Sequence, residues 1–194
     1  NKNFFSVNRW ADVSNDQYGI TWVNIDAPLI ELDKITMDEI EYGWVKEVPK
    51  TQTILSYVMN NYWETNYKAS QGGKSVFRYS VFPHSGFDPV QSEKWGVECH
   101  QPLISIAADS SAPVYQPLFF LDNEKVIISS MKVLKTGGVL VILYNPGNED
   151  EIFHLKWPEK YKTISLSDPF GNTGEQLENE IEIKARGIIN LVIK

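Results

Sequence analysis

The sequence predicts an all-β protein: an antiparallel β-sandwich followed by a smaller C-terminal β-sandwich, with one short helix. Three observations carry that expectation. Aromatic residues make up 12% of the 194 residues, with six Trp, nine Tyr and nine Phe, and such side chains favour pleated, half-buried surfaces. Apolar and polar residues alternate with a period of two in several windows, the spacing that sends successive side chains to opposite faces of a strand. From residue 103 onward, short β-type runs return about every 8–12 residues between turn-forming clusters, which is the rhythm of a sandwich.

In chain order, an extended run over 4–10 meets the turn residues Val13, Ser14, Asn15 and Asp16 and resumes as a strand over 18–25, which predicts a hairpin. Ala27, Pro28 and Leu29 lead into an acidic stretch over 34–42 that reads as a loop or a short helical turn. Residues 53–67 alternate, with Leu55, Tyr57, Met59, Asn61, Trp63 and Thr65 on one face and Ile54, Ser56, Val58, Asn60, Tyr62 and Asn66 on the other. Gln71, Gly72 and Gly73 form the next turn, and 75–82 alternates again, which predicts a second hairpin between these two runs. Residues 87–98 are the helix candidate, capped by Ser85 or Asp88, with Val90, Lys94, Trp95 and Val97 in a partial 3.6 period. Strands follow over 103–108, 114–121, 125–134, 138–144, 152–157, 163–167, 181–185 and 188–193. Beyond Asn123 and Glu124 the strands shorten and the turns become denser. The expected division is therefore a larger β-portion over 1–123 and a small sandwich over 124–194.

Composition excludes several classes. A net charge of −7 and a pI near 5.0, with no local Lys/Arg cluster, repel a phosphate backbone, so nucleic acid is not an expected partner. The longest apolar runs, such as 139–144, fall far short of the roughly 18 residues a membrane helix needs. Cys99 is the one cysteine, so no internal disulfide forms and the redox compartment stays open. The chain begins at Asn1 without a basic or apolar leader and is read as a piece of a longer polypeptide.

Chemistry is sparse. His84, His100 and His154 stand far apart, without the short spacings that build a zinc site, and no metal is expected in this chain. Cys99 and His100 are sequence neighbours, whereas a nucleophile and its base must meet through space. No nucleophile elbow or glycine-rich phosphate loop is present, and no Asp/Glu pair sits in a glycosidase signature. No catalytic residue is therefore assigned. One segment departs from this pattern: residues 60–67 crowd three side-chain amides, a hydroxyl and three aromatics at the end of a predicted strand. Amides are depleted in strands; their donors and acceptors suit sugar hydroxyls, and the aromatics suit the apolar face of a pyranose. The other reading is that the amides satisfy buried backbone at a strand end.

Val13-Ser14-Asn15, Tyr18-Gly19-Ile20-Thr21-Trp22, Asp26-Ala27-Pro28-Leu29, the run from Ser56 to Tyr67, Phe77-Arg78-Tyr79 and Pro83-His84 occur in that order. Together they resemble the C-terminal region of bacterial glycoside hydrolase family 38 proteins, the α-mannosidase-like enzymes, over about residues 5–105, with a looser match to the family's terminal small β-domain. The resemblance implies an enzyme with an N-terminal catalytic domain carrying zinc and an aspartate nucleophile. Neither lies in this chain, which is not expected to be active alone. The large β-domain would be part of a galactose-mutarotase-like supersandwich packed on that catalytic domain beside a mannoside-binding cleft. Asn60, Asn61, Trp63, Thr65, Asn66 and Arg78 are then the expected substrate-facing residues. An independent carbohydrate-binding β-module is the other functional class the residues allow. An export route fits a glycan-degrading bacterium, although no residue records the compartment.

Overall fold

A computed structural model describes residues 2–36, 44–48, 50–59, 66, 68, 70–109, 111, 119–157 and 161–194. In chain order its elements are β1 (Phe5–Ser6), β2 (Trp10–Ser14), β3 (Gly19–Asn24), β4 (Leu29–Leu32), β5 (Ile54–Ser56), β6 (Tyr79–His84), α1 (Pro89–His100), β7 (Phe120–Leu121), β8 (Ile127–Val133), β9 (Val139–Tyr144), β10 (Glu151–Lys156), β11 (Ile164–Ser167), β12 (Thr173–Leu177), β13 (Glu180–Ile183) and β14 (Ile188–Ile193). Every described strand pairing is antiparallel, so the fold is mostly β with one short helix, as the alternation predicts. The chain divides into two compact units, one of residues 1–87 with 92–103, the other of 88–91 with 104–194. That division precedes the seam expected at Asn123 and Glu124, and β7, just before the seam, pairs with β10 inside the second unit.

The first unit holds two three-stranded sheets, ordered β1-β4-β5 and β2-β3-β6. The first predicted hairpin forms as β2 and β3. Its strand runs on through Ser14, because Asn15 makes the turn: its Oδ1 accepts from the backbone N–H groups of Gln17 and Tyr18 at 2.8 and 3.0 Å. The second predicted hairpin does not form among the described residues. β5 pairs with β4, while all six residues of β6 register with β3, from Gly19 opposite His84 to Asn24 opposite Tyr79. A glycine turn between two runs brings them near, but the longer ladder decides which strands pair.

The helix expected over 87–98 forms as Pro89–His100, and Asp88, one of its two expected caps, starts it. Asp88 Oδ1 accepts the Val90 N–H at 2.8 Å, and Pro89 loses nothing at a first-turn position that needs no donor. The face it buries is not the apolar one. Ser92, Glu93 and Gly96 are buried, because α1 docks on the β2-β3-β6 sheet through hydrogen bonds to Trp10 and Thr21 and through a glycine that lets Trp10 approach. At its end, the two ring nitrogens of His100 face the carbonyls of Gly96 and Asn24 at 2.8 and 3.2 Å, tying the last turn to the end of β3. The expected strand over 103–108 does not form among the described residues, and Leu103 and Ile104 are fully or almost fully exposed there.

The second unit is a β-sandwich. A five-stranded sheet, β12-β11-β14-β9-β8, and a three-stranded sheet, β13-β10-β7, supply the two walls of one apolar core. Val139, Val141, Leu143, Leu191, Ile193 and Ile164 come from one sheet, and Phe153, Leu155, Ile181 and Ile183 from the other. Glu180 and Glu182 point outward between Ile181 and Ile183, the clean alternation of a strand with one wet face. Gly137 and Gly138 close the β8-β9 hairpin at φ of 87° and 88°. A Cβ on Gly138 would stand 2.5 Å from the Ile193 carbonyl oxygen, so only glycine fits that corner.

Candidate functional site

Of the residues that the sequence singles out, Asn60, Asn61, Trp63 and Thr65 lie outside the described residues. Asn66 sits exposed in a bend, and Arg78 is exposed just ahead of β6. Arg78 is bound internally. Its backbone N–H and Nε donate to Asp26 Oδ2 at 2.7 and 2.9 Å, and Nη2 donates to Asp26 Oδ1 at 2.8 Å, a forked pair that ties the turn after β3 to the start of β6. The guanidinium, followed by the Arg78 backbone N–H, holds the Asp26 carboxyl at about 2, against an ordinary 3.8. A depressed carboxyl stabilises the fold above its unfolded value and loses that contribution as pH falls toward the folded one. Arg78→Met is therefore expected to move the Asp26 titration midpoint up toward 3.8, read by carboxyl NMR, and to flatten the acid dependence of unfolding between 3.8 and about 2.

Neither Asn66 nor Arg78 lines the open cleft of about 1140 Å³ in the first unit. The cleft follows from the register of the β2-β3-β6 sheet. Opposed residues share a face, so Trp22 with Val81, and Ile20 with Pro83, stand on the side away from the helix, joined by Tyr79 opposite Asn24. Trp22 and Tyr79 stack with centroids 5.3 Å apart and planes 22° from parallel. Ile20, Tyr79 and Val81 remain exposed on this floor, and Tyr18 overhangs it from the β2-β3 turn. The wall across from them is the segment 50–54 with Ser56, whose hydroxyl bonds the Tyr79 hydroxyl at 2.8 Å. An exposed aromatic and aliphatic floor rimmed by hydroxyls and amides is the make-up of a surface that stacks on a flat, hydroxyl-bearing ligand.

The opposite face of the same sheet is closed by a polar chain. Asp12 Oδ1 accepts from Ser14 Oγ at 2.6 Å, while Oδ2 accepts from Thr21 Oγ1 at 2.7 Å and faces His84 Nε2 at 2.7 Å. Ser92 Oγ on α1 meets Thr21 Oγ1 at 2.8 Å. Because the Thr21 proton is committed to Asp12, Ser92 is the donor. The Asp12 and His84 side chains are each 7% exposed, so this chain pins β2, β3, β6 and α1 from within. Gly19 completes it: a Cβ there would come within 2.3 Å of Ser14 Cβ and 2.5 Å of His84 Cε1, so the backbone must pass bare beneath the imidazole. Beside it, Glu93 accepts from Arg9 Nη1 at 2.6 Å and Trp10 Nε1 at 2.8 Å.

These groups brace the sheet beneath the floor, and no group of three or more His, Cys, Asp or Glu side chains among the described residues is placed to hold a metal ion. Ile20, Trp22, Tyr79 and Val81 escaped the sequence reading although their signal was there: two strands carried large apolar residues on both faces, where one face suffices for a core. No protein-family model matches the chain, and no curated protein matches it.

Proposed function

We propose that the chain is the non-catalytic β-region of an α-mannosidase-like glycoside hydrolase, packing on that enzyme's catalytic domain and offering the cleft of its first unit to carbohydrate. The observation that carries the reading is the cleft floor. A stacked Trp22/Tyr79 pair, flanked by exposed Ile20 and Val81, is a platform for a pyranose face, and the hydroxyl and amide rim suits its edges. The ordered sequence words from Val13 to His84 add the family to that chemistry.

One further observation favours an enzyme region over a free-standing module. Among the described residues of the first unit, the buried apolar side chains are Val23, Ala27 and Ile30, while Ile35, Trp44 and Val76 stay at least 63% exposed. A unit that buries so little apolar surface gains from packing on more protein.

The test is calorimetric titration of the chain with an α-linked mannobiose. Binding is expected, and Tyr18→Ala should weaken it about tenfold, the loss of roughly 1.4 kcal/mol of stacking, with an unchanged melting temperature. An aryl α-mannoside should not be turned over by this chain alone. A natively folded chain that ignores the disaccharide, or a Tyr18→Ala variant that binds it equally well, would overturn the carbohydrate reading.

A further inference from the structure

We infer that the cleft prefers an acidic saccharide, one whose ring lies on the aromatic floor and whose carboxylate or phosphate ester meets the Lys50 ammonium on the facing wall. The inference rests on the carbohydrate reading of the cleft and goes on to name the ligand's charge. In a chain of net charge −7, no Asp or Glu is among the described residues that line this opening, and the charged one among them is Lys50. Lys50 makes neither an ion pair nor a hydrogen bond among the described residues.

Several neutral side chains around it also keep a free donor. Thr51 Oγ1 accepts the Thr53 N–H at 3.0 Å, which leaves its O–H to donate outward. Asn15 Oδ1 accepts two backbone N–H groups of its own turn, which leaves its NH₂. Ser56 and Tyr79 carry two hydroxyl protons and share one bond, so one proton remains. Gln52 and Thr53 offer donors and acceptors together. The Lys50 ammonium, with no carboxylate beside it among the described lining residues, makes an anion the complementary partner. Charge-assisted bonds to such a group are about twice as strong as neutral ones.

A matched set of ligands tests this: methyl α-mannoside, its uronic acid and mannose 6-phosphate, which share a ring and differ at carbon 6. Calorimetric titration of the whole chain at low salt should show at least one acidic form binding about tenfold tighter than the neutral parent, with the advantage shrinking as salt is raised. Preference for the uronic acid alone assigns the site to carboxylates. Preference for the phosphate alone assigns it to esters, and preference for both assigns it to charge. Lys50→Met should bring the acidic-to-neutral affinity ratio to about one, whereas Lys132→Met, on β8 of the second unit, should leave the ratio intact. Acidic forms that bind no tighter than the neutral sugar overturn this inference and leave the carbohydrate reading standing. A folded chain that binds none of the three, nor mannobiose, overturns both.

Discussion

Truncating Phe153 to alanine is expected to lower the unfolding free energy of the second unit by about 3–5 kcal/mol. Phe153 is fully buried on β10, with Ile181 opposite it on β13, in the core formed with Val141, Leu143 and Leu191 of the other sheet. Removing the ring forfeits its transfer free energy, and the two hydrogen-bonded walls cannot close the void without breaking ladders. That is a large share of a typical domain's stability of about 5–15 kcal/mol. Urea unfolding followed by far-UV circular dichroism should show a lower midpoint with an unchanged slope. A loss below about 1 kcal/mol would mean that the core is not packed around this ring. Phe153→Leu, which refills most of the volume, should recover the larger part.

The second large effect is expected at Asp12. Asp12→Ala leaves the Ser14 and Thr21 hydroxyls and His84 Nε2 without the carboxylate that gathers them, in a place where Asp12 and His84 are each 7% exposed. Breaking a buried polar pair by removing one partner costs about 3–5 kcal/mol, chiefly because the remaining groups stay dry and unmet. Asp12→Asn keeps the shape and one acceptor oxygen, so it should cost less than the alanine, about 1–3 kcal/mol. The order of the two variants in thermal unfolding is the check, and an Asp12→Ala protein as stable as the parent would remove the polar chain from the account of this sheet. The same variants should also blur the cleft, because the strands that the chain pins carry Ile20, Trp22, Tyr79 and Val81 on their other side.

How much of this was legible in the sequence depends on the range of the interaction that decides each element. Ile181 and Ile183 between Glu180 and Glu182, the paired glycines at 137 and 138, and Asp88 before Pro89 all act within a few residues, and the structure keeps each of them. The pairing of β6 with β3 is settled across some 60 residues by a ladder whose alternatives no local pattern ranks, so the glycine turn at 72–73 misdirected the second hairpin. The docking face of α1 was hidden for another reason. Periodicity looks for apolar residues, whereas Ser92, Glu93 and Gly96 bury themselves through specific partners on β2 and β3. The cleft was missed because attention to amides favoured 60–66, while the exposed aromatics of β3 and β6 read as ordinary core.

The two units are held by different forces, and this has a consequence in temperature. The sandwich rests on a closed apolar core, whereas the first unit leans on Asp12, Thr21, His84, Ser92 and Glu93, with few buried aliphatic side chains among its described residues. Exposing apolar surface raises heat capacity and exposing polar surface lowers it, so per residue the sandwich has the larger heat-capacity increment and the more sharply curved stability profile. Cooling thus erodes the sandwich faster than the polar-chained sheet, because hydrophobic stabilisation weakens toward low temperature while buried hydrogen bonds do not follow it. A protein of this composition carries two thermal optima along one chain, the warmer of them in its C-terminal half.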